Sequence, residues 1–107
     1  MKTYEGTREG EDGWFVKVDG QPLSPRASQK IRNHSPDGFA WGYGGSGPAQ
    51  LALAILLDYF GDAEKARALY QSFKFRVVTL WPMDENWKLT GEEIEMVCAA
   101  ILESRTV

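Results

Sequence analysis

The segment from Ala49 to Phe60 constrains the fold more than any other part of the sequence. It is apolar on almost every side, with Gln50 and Asp58 as its polar exceptions. A helix that is apolar all round has no face suited to water, so it is expected to be buried. A chain of 107 residues has room for one modest core. The helix is therefore expected at the centre of a single domain that spans residues 1–107.

Turn-forming residues mark both ends of this central helix. Pro48 suits the first helical position, which makes Gly47 the predicted N-cap, and Gln50 is expected to reach back to it as in a capping box. Gly61 is expected to end the helix in the left-handed conformation.

The N-terminal third is predicted to form β-hairpins. Lys2 to Arg8 fits a short edge strand, and turn formers from Gly10 to Gly13 lead into a strand over Trp14–Val18. Asp19-Gly20 is a favoured two-residue hairpin turn.

The stretch before the central helix is predicted to add more extended chain. A short extended piece is expected near Lys30–Asn33, and Ser35–Gly38 fits a type I turn. From Phe39 to Tyr43, large rings alternate with small residues, which predicts a strand with its three rings on one face.

Two further helices are predicted after the central one. The first is capped by Asp62 and runs from Ala63 to about Lys74, and the last covers Gly91–Glu103 behind a capping box of Thr90 and Glu93. Strands followed by helices predict an α+β fold, in which a small antiparallel sheet from the N-terminal half packs against about three helices from the C-terminal half.

Composition and charge exclude several classes of protein. The formal net charge is -3 and the basic residues are scattered, so nucleic acid is not expected as a partner. The longest apolar run, Leu51–Leu57, is far shorter than the roughly 20 residues that span a bilayer, so the protein is expected in the cytoplasm without a membrane. Cys98 is the one cysteine, expected to be buried and inert, and no spacing indicates a metal or cofactor. A monomer or small homo-oligomer is expected.

The turn Gly44-Gly45-Ser46-Gly47 ahead of the central helix is the strongest candidate for a binding site. Its backbone N–H groups gather at the positive end of a helix dipole, a geometry that attracts a phosphate or carboxylate. The turn lacks the lysine of a Walker A loop and the spacing of a dinucleotide fingerprint. The alternative is a tight crossing from strand to helix, where glycines let backbones approach closely.

Four side chains are candidates to complete this site. His34 can titrate near neutral pH or contact a phosphate, and Arg8 can form a bidentate contact if the sheet brings it to the turn. Trp41 and Tyr43 can offer rings for stacking. Each also has a purely structural explanation. His34 can brace a turn, Arg8 can be a solvated strand residue, and at least one of Trp41 and Tyr43 can pack in the core. No acid–base pair or activated nucleophile can be assembled, and Ser46 is better explained as a capping residue, so an enzyme is not expected.

The stretch from Asn33 to Ala52, which reads NHSPDGFAWGYGGSGPAQLA, resembles the signature of a small-protein family known only as a domain of unknown function. The resemblance implies a one-domain fold and a context in bacteria, phages and plasmids, and it supplies no activity. It also implies an acidic residue after Phe39, where this chain has Ala40.

Two functions fit these observations. The first is a small cytosolic binding module in which the turn from Tyr43 to Gly47, helped by His34 or Arg8, holds an anionic ligand such as a nucleotide. The second is an accessory protein of a phage or other mobile element that inhibits a host or defence protein by direct contact. Both remain open on the sequence alone.

Overall fold

The fold is an antiparallel sheet with helices packed on one face. The computed structural model describes residues 2–11 and 13–105. The elements are β1 (Thr3–Glu9), β2 (Gly13–Val18), β3 (Gln21–Pro22), α1 (Arg26–Ile31), α2 (Ser46–Phe60), α3 (Ala63–Arg76), a 3₁₀ turn (Val78–Leu80), β4 (Trp87–Thr90) and α4 (Gly91–Arg105). The strands are ordered β3-β2-β1-β4 and all pairs are antiparallel. The predicted α+β class is confirmed.

The two N-terminal hairpins are those that the turn residues predict. β1 and β2 pair along their length, and the turn between them includes Asp12, which lies outside the described residues. Asp19 and Gly20 both have positive φ, 48° and 81°, as a type I′ turn requires. The turn chemistry of Asp19-Gly20 therefore sets the register between β2 and β3.

α2 lies at the centre of the core, as its composition predicts. Every residue from Gly47 to Leu56 is buried, and Tyr4 and Leu89 on the inner face of the sheet are buried as well. Within the described part of the chain, no helix is both long and apolar enough to cross a bilayer.

β4 is a strand that the sequence pattern does not predict. Its four residues pair with β1, Trp87 opposite Gly6 and Leu89 opposite Tyr4. A run this short shows little alternation. Its partner, β1, comes from the other end of the chain, so no residues close to β4 in sequence indicate the pairing.

Two predicted extended segments are wrong. The expected extended piece at Lys30–Asn33 overlaps α1, because Ser28 is buried and its Oγ donates to the Pro25 carbonyl at 2.7 Å, which supports a helical turn. The expected strand at Phe39–Tyr43 is irregular, since Gly42 takes a positive φ of 88° and its N–H donates to Val78 at 3.0 Å. Contacts distant in sequence override the local pattern in both places.

The predicted start of α2 is also wrong. The helix begins at Ser46 with Gly45 as its N-cap, so it starts earlier than a Gly47 cap predicts. Gln50 does not return to the cap, because its buried amide bonds to the backbone of residues 34 and 35.

The other predicted helix caps are confirmed. Gly61 ends α2 with a φ of 64°, and the Asp62 side chain accepts a hydrogen bond in the first turn of α3. Thr90 and Glu93 bond reciprocally, backbone N–H to side-chain oxygen, at 2.9 and 3.2 Å. Cys98 is buried, and burial raises the pKa of its thiol to about 11, so the thiol is uncharged at neutral pH.

All four tryptophans form one continuous row. Trp14 meets Trp41 edge-on with 4.8 Å between ring centroids, and Trp41 meets Trp87 edge-on at 5.6 Å. Trp87 then stacks on Trp81 at 4.0 Å. The row joins β2 and β4 to the irregular segments before α2 and after the 3₁₀ turn.

Gly6 is required beneath this row, and its replacement is expected to destabilise the protein. A Cβ at Gly6 would lie 2.0 Å from Nε1 of Trp87, so Gly6→Ala is expected to lower the free energy of unfolding by about 3 kcal/mol through overpacking. Urea denaturation followed by tryptophan fluorescence measures this. Thr7→Ala, on the opposite face of the same strand, is the control and is expected to change stability by less than about 0.5 kcal/mol. Equal losses in both variants would contradict the contact.

Asp58, a polar exception in α2, ties the helix to β1. Its Oδ2 accepts hydrogen bonds from the Tyr4 hydroxyl at 2.5 Å and from Lys2 Nζ at 3.1 Å. Burial of the ring, together with the neighbouring carboxylate, raises the pKa of the Tyr4 phenol. The phenol therefore stays protonated and remains a donor to Asp58.

Asp58→Ala is expected to lower the free energy of unfolding by about 2 kcal/mol, because it leaves the buried Tyr4 hydroxyl without an acceptor. Asp58→Asn keeps an acceptor oxygen and is expected to lose clearly less in the same urea titration. If the two variants were equally stable, the hydrogen bond to Tyr4 would not be what holds α2 to the strand.

Candidate functional site

The glycine-rich turn lies at an exposed tip, the N-terminus of α2. Gly44 and Ser46 are exposed, and no side chain caps the helix. Among the hydrogen bonds of the described residues, none is donated by the backbone N–H of Gly45, Ser46 or Gly47. Ser46 is exposed, Gly45 is half-buried and Gly47 is buried, so these amides lack a partner as the first N–H groups of a helix usually do.

Close packing explains two of the glycines without a ligand. A Cβ at Gly45 would lie 2.3 Å from the Tyr43 ring, and a Cβ at Gly47 would lie 2.6 Å from the Ala40 Cβ. The Tyr43 ring therefore folds back over the turn. The glycines are therefore explained by a tight crossing from strand to helix, and the same residues also form the uncapped start of the helix.

Lys74 of α3 is a charged residue beside this turn that the sequence pattern does not single out. It is only 6% exposed, and no carboxylate or other hydrogen-bond acceptor in the described part of the chain pairs with its ammonium. Its Nζ lies 4.1 Å from the centroid of the Phe75 ring, and that ring lies 3.8 Å from where a Gly44 Cβ would be. The aliphatic stem of Lys74 is covered by its neighbours, while Nζ itself keeps access to solvent.

His34 packs against the same helix as Lys74. Its Nε2 lies 2.7 Å from the Tyr70 hydroxyl. Burial lowers the pKa of the His34 imidazole, and the positive charges of Arg32 and Lys74 lower it further. The ring is therefore neutral at pH 7 when no anion is bound.

Gln50 fixes the position of His34 relative to the tip of α2. Its side chain is fully buried, and its Oε1 accepts from the backbone N–H of His34 at 2.8 Å and of Ser35 at 3.0 Å. Its Nε2 donates to Ser28 Oγ at 2.8 Å. Both polar atoms of the amide are paired, so the network holds the 34–35 backbone against α2 and α1.

Arg8 and Trp41, predicted as site residues, have side-chain contacts elsewhere. The Arg8 guanidinium lies over Trp14, 3.6 Å from the ring centroid, and donates to the carbonyls of Gly10 and Glu11 at 3.3 and 3.2 Å. Trp41 is fully buried in the tryptophan row, and its Nε1 donates to a backbone carbonyl at 3.1 Å. The geometry does not bring either side chain to the glycine-rich turn.

Exposed apolar side chains border the tip. Tyr43 is 41% exposed and Phe75 60% exposed, and Met83 is 45% exposed. The Met83 backbone lies against Gly42, where a Cβ would approach it to 2.6 Å. Two aromatic rings, those of Tyr43 and Phe75, thus lie near the unpaired amides, and the Phe75 ring also contacts the Lys74 ammonium.

Two surface hollows of the described residues lie away from this tip. One of about 370 Å³ is lined by β1 and β4, and another of about 350 Å³ lies beside β2, with Lys17, Leu23, Asp37 and Phe39 in its lining. No group of three His, Cys, Asp or Glu side chains within the described ranges is placed to hold a metal ion.

Comparison with known proteins identifies the family of this chain. A model for a family of unknown function, DUF6166, matches residues 4–100. No curated protein and no solved structure matches the chain. The family match includes the sheet, the glycine-rich turn and the helix that holds Lys74. The chain therefore belongs to the DUF6166 family of unknown function.

Proposed function

We propose that this protein is a small cytosolic binding module that holds an anionic ligand at the N-terminal tip of α2. The observation that carries the proposal is that the backbone N–H groups of Gly45, Ser46 and Gly47 donate to no acceptor in the described part of the chain, while the Lys74 ammonium nearby has no acidic partner there. Arg32 and His34 add basic groups nearby, although the whole chain has a formal charge of -3. The helix dipole contributes positive potential at the same point.

A nucleotide is the class of ligand that the surroundings favour. A phosphate group would meet the amides from Gly45 to Gly47 and the Lys74 ammonium. The base would then stack on an exposed ring, Tyr43 or Phe75, a contact that contributes about 1–3 kcal/mol in other proteins. Arg8 and Trp41 have no part in this arrangement.

A second candidate function is inhibition of another protein by direct contact, as an accessory protein of a phage or other mobile element. The exposed side chains of Tyr43, Phe75, Leu80 and Met83 favour it, with exposures of 41%, 60%, 72% and 45%. A protein partner would cover these apolar groups. It would not require an anion at the helix tip, so the ligand titrations below separate the two functions.

Lys74→Gln is expected to weaken binding of inorganic phosphate by about tenfold or more, because a hydrogen bond to a charged group contributes about 1.5–3 kcal/mol. The measurement is a phosphate titration followed by NMR shifts of the Gly45, Ser46 and Gly47 amides. Lys88→Gln makes the same change in charge on the outer face of the sheet and is expected to bind as the unaltered chain does. Equal affinity in all three proteins, or no amide shift at high phosphate, would contradict the proposal.

Phe75→Ser is expected to lower the affinity for adenosine 5′-monophosphate about tenfold, because the stacking contact is lost. The affinity for inorganic phosphate is expected to stay nearly unchanged. The same titration measures both. Phe15→Ser, which removes an exposed ring from the sheet, is the matched control. An unchanged nucleotide affinity in Phe75→Ser and in Tyr43→Ser would exclude a stacked base and leave a phosphate site alone.

A further inference from the structure

The hollow beside β2 is a groove that has a strand edge as one wall. Its volume is about 350 Å³, and its lining includes Trp14, Val16, Leu23, Pro25 and Phe39. We infer that this β2 groove binds an extended, uncharged peptide segment of another protein, which adds a short strand next to β2. The inference is independent of the anion site, because no residue of the glycine-rich turn or of α3 lines the groove.

The register of the sheet shows which backbone groups of β2 face the groove. The N–H of Asp19 donates to the Thr3 carbonyl at 2.9 Å, so every second pair from there exchanges hydrogen bonds between β1 and β2. Trp14 and Val16 belong to the alternate pairs, which direct their N–H and C=O groups away from the partner strand. These groups therefore lie on the edge of β2 that is remote from β1.

β3 covers only part of this edge. It pairs with the last two residues of β2, and the N–H of Leu23 then donates to the Val16 carbonyl at 2.9 Å. If the register continued, Pro25 would lie opposite Trp14, but its helical backbone (φ -76°, ψ -10°) leads into α1 instead. Proline has no N–H to donate in any case. Within the described residues, no backbone hydrogen bond outside the β1–β2 ladder involves Trp14, so its N–H and C=O are available to another strand.

Apolar side chains line the groove on the face of the sheet that meets the helices. Trp14, Leu23 and Phe39 are half-buried and pack against the core. Residues opposite each other in an antiparallel pair point to the same face, so a peptide residue opposite Trp14 would place its side chain beside Leu23. A β-branched apolar side chain such as valine suits an extended backbone at this position.

The charges and the size of the groove favour this occupant over others. Lys17 and Asp37 are the ionisable residues in its lining, and both are exposed without an ion pair in the described part of the chain. One cation and one carboxylate give no net charge, so nothing here attracts a phosphate or a nucleic acid strand. A groove of about 350 Å³ that residues 37–39 also line has room for one short strand and not for the sheet of a second copy.

The test uses the blocked peptide acetyl-Thr-Thr-Val-Thr-Thr-amide, which is uncharged and has one apolar side chain at its centre. The peptide is titrated to millimolar concentration into the isotope-labelled protein, and the backbone amide resonances are followed by NMR. We expect the largest shift at the Trp14 amide. Hydrogen exchange of this amide is expected to slow, because the N–H gains an acceptor on binding.

Two methylated forms of the peptide separate strand pairing from unspecific apolar contact, and they leave the protein unaltered. A methyl group on the valine nitrogen removes the donor to the Trp14 carbonyl, so this form is expected to bind about tenfold more weakly. A methyl group on the nitrogen of the preceding threonine points away from the edge of β2. This matched control is expected to bind nearly as the unmethylated peptide does.

Three results would overturn the inference. One is a Trp14 amide that does not shift at the highest peptide concentration, and another is equal affinity of the two methylated forms. The third is a Trp14 amide that shifts with protein concentration before peptide is added, since the occupant would then be a second copy. None of these results concerns the amides from Gly45 to Gly47, which the phosphate titration tests separately.

Discussion

α2 has no face that suits water, and the other elements are arranged so that they cover it. Tyr4 of β1 and Leu89 of β4 share the core cluster with α2, α3 packs along another side of the helix, and α1 packs against it as well. The two polar side chains of the helix interior each bond to a different neighbour: Asp58 to β1, and Gln50 to α1 and the His34 turn. Because an unpaired polar group in a core is unfavourable, these two residues allow one rotation of the helix and disfavour the rest.

This covering leaves Ser46, the first residue of α2, exposed, and the last turn of the helix, residues 57–60, half-buried. The helix dipole, the unpaired amides and the covered stem of Lys74 therefore lie at one end of the core because of how the helices pack. Two exposed rings, Tyr43 and Phe75, border the same place. Architecture alone explains Gly45 and Gly47, through their contacts with Tyr43 and Ala40. It does not account for the Lys74 ammonium, which has no acidic partner in the described part of the chain.

The features that could be predicted from the sequence depend on residues a few positions apart. Gly61, Asp62 and the Thr90–Glu93 box act within one helical turn, and the Asp19-Gly20 hairpin is equally local. The features that could not be predicted depend on distant partners. Trp41 alternates with small residues as in a strand, but its ring packs between Trp14 and Trp87 instead. Lys74 has the sequence context of an ordinary basic residue in the last turn of a helix, and only its burial distinguishes it.

The tryptophan row has a consequence for the segment that leads into α2. Trp41 is clamped between rings from β2 and β4, so the chain from Phe39 to the glycine-rich turn is anchored although it has no regular structure. Loops without such anchors must lose conformational entropy when they close on a ligand. Here the segment from Phe39 to the glycine-rich turn is already ordered in the folded protein, because Trp41 packs between Trp14 and Trp87. A ligand at this end of the helix would meet a preorganised surface whose shape the aromatic core maintains.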